Sequence, residues 1–327
     1  MKGQIVKISS DLHFVNFENN IYPCKCRGIF RKEHITPVVG DYVLFNKDKK
    51  LIEEVIEDMK NYNKPPTFET GFLDLDDLLR IRNKGVLITI GARPAMGKTS
   101  FMLNILENQL KRNKKCILFT LEMSKKQIIQ RLLCSNSEID SWKIRTGNTQ
   151  DKDWEKIGKS TLEIAEWDLL INDKSCITIE EIEEYIKEIN PDIVFIDYLQ
   201  LINPAKKKDR NAEINDIMQN LKRIADENNI IIFISSQLSR SLEQRFDKRP
   251  ILSDLRDSGS IEYISDIVFF IYREDYYNSC DEEDVSKRGT AEIIVAKNKF
   301  GPSGRVNLLF NRRIAKFLNP IKVNWEF

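Results

Sequence analysis

The stretch VLITIGARPAMGKTS, residues 86–100, decides the fold. It begins with a continuous apolar run, VLITIGA, the mark of a strand buried on both faces. A short turn follows, and TSFMLNILENQL from Thr99 onward has helical periodicity. Strand, turn and helix in that order, with Gly97-Lys98-Thr99 at the helix start, nearly match the phosphate-binding pattern G-x-x-x-x-G-K-[ST]. The departure is Ala92, which stands where the pattern has its first glycine. An ordinary backbone suffices there, because it is Gly97 that lies next to the phosphates. A chance strand–turn–helix carrying a Gly-Lys pair is the competing reading, and the agreement of the whole context argues against it. Ala92, Arg93, Pro94, Ala95, Met96, Gly97, Lys98, Thr99 and Ser100 are therefore the expected nucleotide-binding loop. Its backbone amides would face the phosphates. Lys98 would reach the β- and γ-phosphates, and Thr99 would place its hydroxyl on Mg2+.

Further runs of the same type lie on either side of helical segments. They are CILFTLE (116–122), DIVFIDY (192–198), IIIFISSQ (230–237), DIVFFIYR (266–273) and AEIIVAK (291–297). Helical patterns follow Gly97, Ser124, Thr178 and Arg210. The alternation predicts an α/β domain whose mostly parallel sheet is wrapped by helices. GRVNLLFN and AKFLNP read as an antiparallel edge. Ligands of open parallel sheets gather at the carboxyl ends of the strands, and these strands end in polar residues. Asp197 closes a buried run, where an acid is costly unless partnered, and Mg2+ through water is its natural partner. Glu122 ends CILFTLE and is placed to orient or deprotonate an attacking water. Gln237 ends IIIFISSQ and is placed to sense the γ-phosphate. Any one of them reads equally well as a solvated strand-end residue; their coincidence argues for a site.

Residues 1 to about 60 have a different rhythm. GQIVKI, HFVNF, the stretch around IYPCKCRG, DYVLF and LIEEVI are short strand-like runs separated by turn residues. That density suggests a small all-β barrel of the OB type. NYNKPPTFETG, with Pro65-Pro66, reads as a linker. The expected organisation is a barrel over 1–58, a linker over 59–68 and the α/β domain over 69–327.

Lys and Arg number 51 against 50 Asp and Glu, so no bulk field recruits a polyanion, and any nucleic-acid contact must come from local basic loops. Hydrophobic residues at 41% and charged residues at 31% fit a globular chain with a sizeable core. Among the six cysteines only Cys24 and Cys26 are close, and C-x-C alone lacks zinc-site spacing, so reduced thiols are expected. MKGQIVKISSDLHF has no apolar core of a secretory signal, and no run is long enough for a membrane helix. A cytoplasmic location, with no membrane partner, is expected. The only histidines, His13 and His34, lie in the barrel and read as surface or packing residues, and no Ser/His/Asp constellation is present.

TGFLDLDDLL, GARPAMGKTSF, LEMS, IDYLQL, SSQLSR, EQRFDKRPILSDLRDSGSIE and AKNKFGPSG follow in order. This series strongly resembles the C-terminal, RecA-like motor domain of DnaB-type replicative helicases over about 66–320, a family that carries alanine at the position of Ala92. The resemblance implies an ATP-driven motor of the P-loop class that moves along single-stranded DNA as a homo-oligomer, a hexameric ring. It implies that Lys98 and Thr99 bind phosphate and Mg2+, that Glu122 is the catalytic carboxylate, Asp197 the Walker-B acid on the metal, and Gln237 the sensor. DLRDSG corresponds to the loop that holds the DNA backbone, which makes Arg256, Asp257 and Gly259 candidate DNA contacts. Lys206, Lys207, Lys208 and Arg210 in NPAKKKDR either extend that path or form a solvated charged run. In AKNKFG the family usually has Lys and, two residues on, an Arg that reaches a neighbour's ATP site. Here the pair is Lys297 and Lys299, charge without a planar fork.

Residues 1–65 do not read as the helical N-terminal domain and full linker helix usual in that family. YPCKCRGIFRKEHITPVVGDYVLF instead resembles the N-terminal OB-fold of the ribosome-small-subunit-dependent GTPase A family, over roughly 1–58. That resemblance implies contact with RNA. Arg27, Phe30, Arg31 and Lys32 are candidates for a basic, aromatic binding face, or else they only decorate the barrel. Two functions follow as expectations. The first is an ATP-dependent DNA helicase or translocase with an added nucleic-acid grip. The second is an ATP-switched nucleic-acid-binding adaptor or loading factor that does not unwind, with RNA, the ribosome or a loader protein as partner.

Overall fold

The computed structural model describes residues 1–9, 12–18, 20–26, 42–55, 67–82, 84–204, 209–255, 258–277 and 289–320. Arg27, Phe30, Arg31, Lys32, His34, Lys206, Lys207, Lys208, Arg256, Asp257 and Cys280 lie outside these residues, as does most of the expected linker. The chain divides into two compact units, Met1–Thr67 and Phe68–Phe327.

In the first unit β1 (Lys2–Ser9), β2 (Leu12–Phe17), β3 (Asn20–Cys26), β4 (Tyr42–Asn46) and β5 (Leu51–Val55) close into a barrel in the order β1-β2-β3-β5-β4. Alternate residues point inward, and Ile5, Val15, Cys24, Val43, Phe45 and Ile52 fill the interior. All neighbours pair antiparallel except β3 with β5.

The second unit begins with α1 (Leu73–Leu79), β6 (Val86–Ala92), α2 (Lys98–Leu110), β7 (Cys116–Thr120) and α3 (Lys125–Ser137). α4 (Ser141–Thr146), α5 (Asp151–Ala165), β8 (Leu169–Asn172), α6 (Ile179–Ile189), β9 (Ile193–Asp197) and α7 (Arg210–Asn228) follow. The chain continues through β10 (Ile231–Gln237), α8 (Ser258–Ile264), β11 (Ile267–Tyr272) and α9 (Glu274–Tyr277). It closes with β12 (Thr290–Asn298), β13 (Gly304–Asn311) and β14 (Lys316–Leu318). One nine-stranded sheet has the order β14-β13-β12-β11-β6-β10-β9-β7-β8. From β11 to β8 it is parallel, and β12, β13 and β14 add an antiparallel edge.

The mixed α/β architecture and the central sheet meet the expectation. β6 shows why its apolar run is continuous. Val86, Ile88, Ile90 and Ala92 join the core under α1, α2 and α3, while Leu87 faces the core under α6 and α7. Each buried aliphatic side chain of this kind contributes about 1.5–3 kcal/mol. Two differences bear on the site. β7 ends at Thr120, so Glu122 sits two residues past the strand, exposed, in the bend before α3. α4, α5 and β8 fill a region where the sequence suggested no element. Among the described residues no helix is long and apolar enough to cross a membrane, and five cysteines are free thiols.

Candidate nucleotide site

Sheet packing creates the loop. β6 is flanked by β10 and β11, and at Gly91 a Cβ would stand 2.8 Å from the Phe270 ring and 2.9 Å from Leu238 Cδ2. Glycine here serves strand contact, and the buried Ala92 follows without strain. Ala95 and Gly97 then take left-handed backbone, with φ of 64° and 98°. At Gly97 a Cβ would also come within 3.1 Å of the Phe317 ring, so space and backbone both require glycine. α2 starts on Gly97 with no side chain capping it. By contrast, a Ser124–Gln127 capping box closes α3 and a Thr178–Glu181 box closes α6. The uncapped end borders a cavity of about 630 Å³, lined by Ala92–Ala95, Gly97–Ser100, Glu122, Tyr198 and Gln237, and also by Arg131, Arg145, Phe310 and Arg312.

Asp197 stands behind this lining, bonded to Thr99. It ends β9, is 2% exposed, and accepts from Thr99 Oγ1 at 2.6 Å and Ser235 Oγ at 2.5 Å. Lys98 Nζ lies 3.9 Å from Asp197 Oδ1 and 4.6 Å from the centre of the Tyr198 ring. Burial pushes the Lys98 ammonium below the usual lysine range, while Asp197 and Glu122 pull it back up. A cation held so closely by a carboxylate and a ring face is desolvated and ready for an anionic ligand. Burial, together with Glu122 and Asp197, raises the Tyr198 phenol. Gln237 ends β10, its amide 3.5 Å from Gln200 Oε1, and Gln200 Nε2 donates to Ser236 Oγ at 2.9 Å. The Thr99 hydroxyl and Asp197 carboxylate are adjacent hard oxygens beside an anion-binding helix end. That donor set fits Mg2+, which takes few protein ligands and completes its shell with phosphate oxygens and water.

The structure therefore gathers Lys98, Thr99, Glu122, Asp197 and Gln237 around one cavity. Arg93 lines it too, its guanidinium held by Glu243 at 2.9 Å and the Leu238 carbonyl at 3.0 Å. Lys297 and Lys299 lie elsewhere. β12 runs against the parallel strands, so its end lies where they begin, opposite the loop. There Lys299 Nζ pairs with Asp266 Oδ1 at 2.8 Å, and Lys297 Nζ donates to the carbonyls of Glu262 at 2.5 Å and Tyr263 at 3.0 Å. Gly259 is exposed in the first turn of α8, away from the cavity, with open space around it. Arg210 donates to the Gln200 carbonyl at 2.8 Å and to Glu213 at 3.1 Å. Sequence reasoning missed Tyr198, Arg131, Arg145, Phe310 and Arg312. Tyr198 had a signal, adjacency to Asp197; Phe310 and Arg312 come from the antiparallel edge and carry none.

Residues 67–319 match the family model of the DnaB-like helicase C terminal domain. The chain belongs to that family. Residues 2–51 match the RsgA N-terminal domain. The replicative DNA helicase DnaB of Geobacillus stearothermophilus is 39% identical over 76% of this DnaB-like chain and 56% of its own length. That of Haemophilus influenzae is 38% identical over 97% of this chain and 67% of its own. The solved ATPase domain of G40P superposes with a TM-score of 0.76 at 36% identity, covering 81% of this chain and 95% of that one. A DnaB-like replicative helicase, solved in a study of its interactions with primase, gives the same score and identity over 65% of its length. The chain spans little more than half of the Geobacillus relative.

Proposed function

We propose that this chain is an ATP-dependent DNA helicase or translocase of the DnaB type, acting on single-stranded DNA as a ring of copies. The observation that carries the reading is the convergence of Lys98, Thr99 and Asp197 at the uncapped end of α2. The loop amides and Lys98 bind the β- and γ-phosphates of ATP. Thr99, and Asp197 through water, would hold Mg2+, which would supply neutralising charge on the phosphates. Glu122 orients the water and takes its proton. Gln237 contacts the γ-phosphate and passes its loss to the Gln200 loop. Lys297 and Lys299, at the far end of the sheet, serve a neighbouring copy's cavity. Arg256, Asp257 and Gly259 hold the DNA backbone. The barrel over 1–58 is an OB-type module joined by the linker 59–68 to the motor over 69–327, and its strand order and closure support that assignment.

ATP turnover with and without single-stranded DNA tests the reading. Wild type is expected to hydrolyse MgATP faster with DNA, and Lys98→Ala to lose turnover roughly a hundredfold or more. Equal turnover in the two proteins overturns it. The match of residues 2–51 to the RsgA N-terminal domain favours RNA as a second ligand of the barrel. Tighter, more salt-dependent binding of single-stranded RNA than DNA by the whole chain, lost without residues 1–58, would establish that.

A further inference from the structure

Behind the phosphate loop stands a charged ladder that the mechanism above does not use. Arg273 follows β11 and is 2% exposed, an arginine taken almost wholly from water. Its Nη1 donates to the carbonyl of Ala95 at 3.3 Å, the left-handed residue at the loop's tip. Its guanidinium lies 4.5 Å from the centre of the Phe310 ring, which lines the cavity. Asp275 Oδ1 is 3.3 Å from Arg273 Nε, and Asp275 Oδ2 accepts from Arg312 Nη2 at 2.8 Å. Arg312 also lines the same cavity. Arg273 Nε and Asp275 Oδ1 make no hydrogen bond, while Arg273 Nη2 donates to Asp275 Oδ2 at 3.4 Å. A buried cation in this position is costly unless it fixes something, and what it fixes is a loop carbonyl. Turning the Ala95 carbonyl toward Arg273 keeps it from pointing at bound phosphate, where an acceptor would repel.

We propose that Arg273 is a positioning residue for the phosphate loop and that, through Asp275, it ties the loop's tip to Arg312 in the lining of the cavity. The proposal rests on reading the cavity as a nucleotide site and adds the residue that holds it open. A nucleoside diphosphate that engages Arg312 and the loop together then binds a pre-set frame. Replacing Arg273 by an apolar side chain of similar length leaves the core filled but takes away one of Asp275's two cationic partners, so a lowered thermal midpoint is expected beside any change in binding. Asp275 retains Arg312 as its partner. Binding is therefore compared at a temperature at which the variant is folded.

The test is MgADP affinity by calorimetric titration, on the full chain as wild type, Arg273→Met and Arg273→Lys, with the nucleotide-free thermal midpoint measured alongside. Arg273→Met is expected to lower the midpoint, to remain folded at the temperature of titration, and there to bind MgADP at least tenfold more weakly. Arg273→Lys, which can still donate to the Ala95 carbonyl, is expected to recover much of the loss. MgADP binding by Arg273→Met within twofold of wild type overturns the proposal, as does a loss that Arg273→Lys does not rescue at all. Should Arg273→Met prove insoluble, the nearly isosteric Asp275→Asn decides: a loss of several-fold supports the ladder and binding within twofold overturns it. Failure of wild type itself to bind MgADP would instead remove the nucleotide reading on which the proposal stands.

Discussion

At Asp197 one carboxylate receives a threonine hydroxyl, a serine hydroxyl and the field of a buried lysine. Such a group is affordable in the interior only because every oxygen is engaged. Asp197→Asn keeps the shape and removes the charge. It is expected to lower ATP turnover and to raise the Mg2+ concentration needed for half-maximal turnover, read by titrating the metal at fixed ATP. Lys98, Thr99 and Asp197 were legible because each belongs to a contiguous strand-end pattern. Phe310 and Arg312 were not, since only the pairing of β13 and β14 beside β12 carries them to the cavity. Lys299 differs from an arginine in lacking a fork. Lys299→Arg is expected to raise ATP turnover at ring-forming concentration and Lys299→Ala to lower it; if neither moves turnover, Lys299 has no part in the chemistry.

At the scale of elements, the turn from β6 into α2 depends on Gly97. Gly97→Ala puts a Cβ into left-handed backbone, at about 1–2 kcal/mol, and against the Phe317 ring. A thermal midpoint lowered by several degrees and weaker MgADP binding are expected together. The start of β11 depends on Asp266, which accepts from the Leu87 amide and from Lys222 and Lys299. Burial alone would raise its carboxyl; the Leu87 amide and the two lysines outweigh burial and leave it below the usual carboxylate range. A depressed acid stabilises the fold fully above its unfolded pKa, about 3.9, and loses that contribution as pH falls toward the folded value. Asp266→Asn is expected to cost about 2 kcal/mol near neutral pH, less than for fully buried pairs because its lysines are part-exposed. Its midpoint should converge with wild type on acidification through and below that value. The long parallel strands were legible as apolar runs. β8 is a short edge strand, and α5 exposes Trp154 and Leu162, which blurs the one-faced pattern that reveals a helix.

At the scale of the whole molecule, the cavity and the Lys297–Lys299 pair occupy opposite ends of one sheet, so a single copy cannot bring them together. A head-to-tail arrangement of copies would bring one to the other, and closure of such contacts would make the proposed ring. Mixing Lys98→Ala copies with Lys299→Ala copies creates interfaces in which both halves are intact. ATP turnover of the mixture is expected to rise above either variant alone, and a mixture no better than their mean removes the shared site. The most direct measurement is unwinding of a forked DNA duplex by wild type and Lys98→Ala with MgATP. ATP-dependent strand separation by wild type, absent in Lys98→Ala, is the predicted result. No separation by wild type, with ATP-sensitive assembly retained, would contradict the motor and leave a nucleotide-switched binding protein.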